Sequence, residues 1–106
     1  MSTFEKREAG FESKFAYDEE LRFKATARRN KLLGQWAAEK LGLSDAAADS
    51  YAKDVVASDV AEAGDDDVVR KLVADFATKK IAQSEHQIRR FMDELMAKAV
   101  QDVKAE

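Results

Sequence analysis

Apolar residues recur along this chain at three- and four-residue spacing in four stretches, a period that predicts helices and gives little support to strands. In the first stretch, Leu21, Ala25, Leu32, Trp36 and Ala37 form one stripe of a helix expected over residues 18–41. Asp18, Glu19 and Glu20 place negative charge at its positive dipole end, with Asp18 as N-cap. Gly42 supplies the left-handed residue that closes helices, and Leu43 is placed to fold back on the last turn. A second, alanine-rich helix is expected over residues 45–63, with Ser44 as N-cap, Ala48, Tyr51, Ala52, Val55, Val56 and Val60 as its apolar face, and Gly64 as its stop.

Asp65, Asp66 and Asp67 then suit the start of a third helix over residues 66–81, carrying Val69, Leu72, Val73 and Phe76. Neither Gly nor Pro separates it from a fourth helix over residues 85–104. The break is read instead from Lys79 and Lys80 at a helix C-terminus, followed by the Ser-x-x-Gln pattern of Ser84 to Gln87. The fourth helix presents Ile88, Phe91, Met92, Leu95, Met96 and Ala99. One long helix from Asp66 onward is the alternative. Short connections favour antiparallel neighbours, so the expected fold is all-α, a four-helix bundle over residues 18–106 with a flexible N-terminal arm at 1–17.

The arm differs from the rest. Its charges alternate in sign, Phe4, Phe11, Phe15 and Tyr17 are its strong apolar residues, and Gly10 costs about 1 kcal/mol of helix stability relative to Ala. A segment this short does not hold a helix alone in water. On a helix formed at a partner surface, however, Phe4, Phe11 and Phe15 would share one face. Ordering each residue costs roughly 1–2 kcal/mol, whereas each buried Phe returns only about 1.5–3 kcal/mol. Backbone hydrogen bonds and charge pairs through Lys6, Arg7, Lys14, Glu5, Glu8 and Glu12 would have to supply the difference. A frayed end, or an arm folded back on its own bundle, is the bland reading.

Composition narrows the chemistry. The 106 residues hold one modest core; 37% are charged, and there is no cysteine and no proline. Disulfides and thiolate sites are thereby excluded, and no apolar run reaches the roughly 20 residues that span a bilayer. A soluble protein in a reducing cytosol is expected. His86 has no second His or Cys to complete a metal or catalytic pair, and no P-loop, G-x-G-x-x-G or H-E-x-x-H occurs, so catalysis and a required cofactor are not expected. The net charge of −3 argues against nucleic acid. Charge is unevenly spread: residues 18–42 carry six bases against four acids, whereas 43–64 carry five acids against Lys53 alone, making the first two helices plausible neighbours. Arg28, Arg29 and Lys31, with Trp36 nearby, are candidates for holding ATP or ADP through charge and stacking, against the default of a solvated helix face.

Two strings, FEKREAGFESKFAYDEELRFKATARRNKLLGQWAAEKLGL and SEHQIRRFMDEL, resemble the zeta-subunit family of bacterial ATP synthase inhibitors, and the resemblance spans essentially the whole chain. It implies a four-helix bundle whose mobile N-terminal segment enters an interface between alpha and beta subunits of the F-type ATP synthase and contacts the gamma shaft. Hydrolysis is then stopped while synthesis is hindered less. Carried onto this chain, the inhibitory segment is Ser2–Tyr17; within it the spacing and charge of the residues themselves suggest Phe4, Phe11 and Phe15 as anchors, Lys6, Arg7, Glu8, Glu12 and Lys14 as charge contacts, and Tyr17 as a further partner-binding residue. The protein would be cytoplasmic and held at the inner membrane only through that enzyme. The resemblance also implies a link to adenine nucleotides, so a nucleotide-binding regulatory bundle is the alternative function.

Overall fold

The computed structural model describes residues 2–59 and 65–105, with the side chains of residues 2–18 left aside. Among the described residues there are four helices and no strand: α1 (Ser2–Lys40), α2 (Asp45–Ala57), α3 (Asp66–Thr78) and α4 (Glu85–Lys104). The fold is all-α, as the apolar spacing predicts. α1 is one helix of 39 residues, about 58 Å at 1.5 Å per residue, and it sets the long axis of a molecule 62 × 26 × 21 Å in extent. Asp18 is therefore interior to α1 and not its N-cap. No proline interrupts this stretch, and extending an existing helix adds a hydrogen bond for each residue fixed.

Helix ends follow from specific backbone bonds. After α1, the Leu43 N–H donates to Ala38 O at 2.8 Å and the Gly42 N–H to Glu39 O at 3.1 Å, with Gly42 at φ 80°. This is the expected glycine-closed end. α3 closes by the same pattern on a lysine: the Ile81 N–H donates to Phe76 O at 2.8 Å and the Lys80 N–H to Ala77 O at 3.0 Å, with Lys80 at φ 57°. Ile81 packs against the core, so the apolar contact that accompanies this motif is present. α3 therefore stops at Thr78, three residues before the expected end, and does not run on into α4.

α4 opens on the reciprocal box read from sequence: the Gln87 N–H donates to Ser84 Oγ at 3.1 Å, and the Ser84 N–H donates to Gln87 Oε1 at 3.0 Å. Ser44 occupies the N-cap position of α2 without a side-chain capping bond, and Asp65 does the same for α3. α2 ends at Ala57, six residues short of the expected end. There the Ser58 N–H still reaches Asp54 O while the Ser58 hydroxyl donates to Val55 O at 2.6 Å, and Asp59 turns away toward α1. The expected stop at Gly64 and the apolar role of Val60 lie outside the described residues.

α1 is the spine, and both α2 and α4 pack against it. Leu33, Ala37, Val55, Val68, Val69, Leu72, Phe76, Ile88 and Met92 make one buried cluster to which every helix contributes. The α1 stripe is broader than the expected one because two helices cover it: Leu33 is fully buried, Leu32 is half-buried, and Leu21, Ala25, Ala37 and Ala38 are buried with them. On α3, Val68 takes the buried place expected of Val73, which is exposed. Gly34 lets α2 approach closely, since a Cβ there would stand 2.7 Å from Ala52 Cα.

Candidate functional site

α1 carries two consecutive polar residues, Arg29 and Asn30, inside its buried surface. Arg29 is only 3% exposed. Its guanidinium forks onto Asp65, with Nη2 to Oδ1 at 2.8 Å and Nη1 to Oδ2 at 3.2 Å, while Nε and Nη2 also donate to Asn30 Oδ1 at 3.1 and 2.8 Å. Asn30 Nδ2 donates to Asp59 Oδ2 at 3.0 Å. Neighbouring residues of α1 thus hold both Asp59, just past the end of α2, and Asp65, at the start of α3. Among the described residues, no buried side-chain polar atom lacks a partner, which is the condition for such a cluster to be tolerated in a core.

The four residues proposed from sequence for nucleotide do not share one site. Arg29 is committed to the clasp. Trp36 is half-buried against the core, edge-on to Phe76 at a centroid distance of 5.6 Å and tilted on Phe91 at 4.6 Å, so its ring takes part in the aromatic packing of the core. Arg28 and Lys31 line a different feature, a shallow groove of about 430 Å³ along α1, where Arg28 also faces Asp102 of α4 at 3.7 Å. A larger cleft, about 800 Å³, does include Arg22 and Arg29, but Glu19, Asp59 and Asp65 stand in the same wall. Carboxylates of that number offset the positive field that a phosphate chain requires.

A second polar cluster ties α2 to α3. The Tyr51 hydroxyl donates to Asp75 Oδ2 at 2.7 Å, Lys71 Nζ pairs with the same oxygen at 3.1 Å, and that ammonium lies 4.9 Å from the centre of the Tyr51 ring. Burial raises the pKa of the Tyr51 hydroxyl well above the ordinary tyrosine value, and the hydrogen bond and charge of Asp75, with the charge of Asp54, push it the same way. Arg89 joins the two helix starts, pairing with Asp66 of α3 and Glu85 of α4, each at 2.9 Å. His86 is exposed.

The arm residues Phe4, Lys6, Arg7, Glu8, Phe11, Glu12, Lys14, Phe15 and Tyr17 belong to α1 by backbone, and their side chains lie outside the described residues. Among the described residues, no group of His, Cys, Asp and Glu is placed to hold a metal, and no helix is long and apolar enough to cross a membrane. Sequence reasoning missed the partners of Arg29. The one available signal was that Arg29 falls at four-residue spacing between Ala25 and Leu33, on the apolar side of the helix, in a chain with a segment rich in aspartate further on. It also missed Tyr51 as a polar anchor, reading only its apolar ring.

The class the fold defines is a small all-α module, a bundle whose buried polar side chains, among the described residues, are paired with one another. Which module follows from the comparisons. The family model for ATPase inhibitor subunit zeta matches residues 1–102, and the chain belongs to that family. A protein solved by solution NMR is 44% identical, with a TM-score of 0.70 over 80% of this chain and 96% of its own. No curated protein matches this chain. Membership places the chain among inhibitor subunits of an ATPase, a regulatory class.

Proposed function

We propose that this chain inhibits ATP hydrolysis by the rotary F-type ATP synthase, with residues 2–17 acting as a wedge at an alpha/beta catalytic interface against the gamma shaft. The observation that carries this reading is that the family match takes in the arm together with the bundle, from residue 1 to residue 102. α1 supports it: a single helix from Ser2 to Lys40 joins the arm to the spine of the bundle. Phe4, Phe11 and Phe15 fall on one face of that helix by spacing, as the anchors of a helix laid into a groove must. Lys6, Arg7, Glu8, Glu12 and Lys14 supply charges of both signs for partners around it, and Tyr17 closes the segment.

A wedge blocks rotation only if it is bound more tightly in the states that hydrolysis visits than in those of synthesis; equal affinity for both would give no direction bias. The bundle acts from outside, holding the departure point of the arm at the enzyme's surface, so the protein sits at the membrane only by way of its partner. The alternative, a bundle that binds ATP or ADP through Arg28, Arg29, Lys31 and Trp36, has no observation in its favour, because the clasp holds Arg29 and aromatic packing holds Trp36.

The experiment is titration of the full chain, and of a chain lacking residues 2–17, into purified ATP synthase from the same source, following hydrolysis and synthesis separately. The full chain is expected to suppress hydrolysis more than synthesis. The shortened chain should keep its helical signal and cooperative melting yet lose inhibition. Equal inhibition by the shortened chain rejects the arm as the wedge.

A further inference from the structure

Phe23 stands out on α1. It is 77% exposed, whereas aromatic residues further along the same helix and on α3 and α4 are drawn into the core. Ala27 and Lys31 follow it at four-residue intervals, and Lys24 and Arg28 lie alongside, so one face of the helix presents an aromatic ring among cations. Val56 and Val103 contribute to the same shallow groove. At this face Lys24 Nζ lies 3.5 Å from Glu20, and one guanidinium nitrogen of Arg28 lies 3.7 Å from Asp102, all four side chains being substantially solvated. Pairs of this kind are weak and readily exchanged for a partner's carboxylates.

We infer that this face is a second docking surface, whose occupant is an acidic patch with an apolar recess on the same ATPase that receives the arm. The inference rests on the inhibitor reading above. Two observations select this occupant. The first is charge: in an overall acidic chain, net −3, the groove beside Phe23 is lined by Lys24, Arg28 and Lys31, with Glu20 and Asp102 as the acids that face them, and such a lining attracts and orients carboxylates. The second is continuity: Phe23 lies six residues beyond Tyr17 on the same unbroken helix, about 9 Å along its axis, so insertion of the arm brings this face to the rim of the entry site. An exposed aromatic side chain with cations along one flank has the composition of an interface centre, where one side chain carries much of the binding.

The test uses the full chain with Phe23→Ala and, separately, Lys24→Glu combined with Lys31→Glu. These side chains are exposed, so unchanged melting verifies that each variant folds. The readout is the concentration that half-inhibits ATP hydrolysis by the purified enzyme, at two salt concentrations. Each variant is expected to need about tenfold more protein while reaching the same residual activity at saturation, and the charge-reversed variant should lose most of the salt dependence of the parent. Potency within about twofold of the parent for both variants overturns the docking surface while leaving the inhibitor reading standing. Failure of the parent chain to inhibit at all overturns that reading and this inference with it. Sedimentation of the parent alone supplies the remaining outcome: a dimer that Phe23→Ala dissolves assigns the face to a second copy and rejects the ATPase as its occupant.

Discussion

Arg29 and Gly34 are five residues apart on α1 and show two ways in which single residues set the spacing of helices. Arg29 spans from the spine to Asp65 and, through Asn30, to Asp59, so its charge is neutralised where it is buried. Gly34 works by what it lacks. A methyl group there would meet the backbone of Ala52 at 2.7 Å, and backbone cannot rotate away as a flexible side chain can. Gly34→Ala is expected to destabilise the protein by about 1–2 kcal/mol: overpacking costs about 1–3 kcal/mol, and the better helix propensity of alanine returns at most about 1 kcal/mol. Urea unfolding followed by circular dichroism checks this. A stability equal to or above the parent's would show that α2 can shift away at no cost.

At the scale of elements, α1 and α3 end by the same hydrogen-bond pattern, but one uses Gly42 and the other Lys80 in the left-handed region. A side chain in that conformation costs about 1–2 kcal/mol, and glycine's greater freedom in the unfolded chain takes back about 0.5–1 kcal/mol. Lys80→Gly should therefore stabilise the protein by up to about 1 kcal/mol, seen as a raised melting temperature. Gly42→Ala should destabilise it by a similar amount through backbone strain alone, since nothing lies within 4 Å of the added methyl. The legibility of these ends differs for the same reason. Gly42, and the Ser84–Gln87 box, advertise themselves because residue type is tied to local backbone geometry. The early ends of α2 and α3 do not. Asp59 leaves its helix to meet Asn30, twenty-nine residues away, and Ile81 turns inward to reach the core, contacts that no local window contains.

For the whole molecule, a single core cluster shared by all four helices makes unfolding cooperative, so the ionisation of one partly buried group is read out as global stability. Tyr51 is the group to watch. Its hydroxyl has a raised pKa in the folded state, so as pH climbs past the ordinary value near 10 the unfolded chain ionises first. The tyrosine's contribution is fully present below that pH and is lost progressively above it. Stability should fall by no more than about 1.4 kcal/mol per pH unit from this source above pH about 10, and Tyr51→Phe should show a shallower fall over the same range. Identical slopes for the two proteins would mean that the hydroxyl ionises as freely when folded as when unfolded.

The period of apolar residues, the capping residues and the absence of proline determined by themselves that the chain is all-α, because these depend on interactions within about one helical turn, whereas the separation of α3 from α4 was settled by the turn of Ile81 into the core. The two long strings resembling the inhibitor family likewise pointed to the function that family membership then supported. Only the tertiary structure decided that Arg29 is a clasp, that Trp36 is core packing, and that Phe23, drawn from the same kinds of residue, is left in solvent. Helical spacing assigns a residue to a face. Whether that face meets a carboxylate, an aromatic ring or water depends on which distant helix covers it.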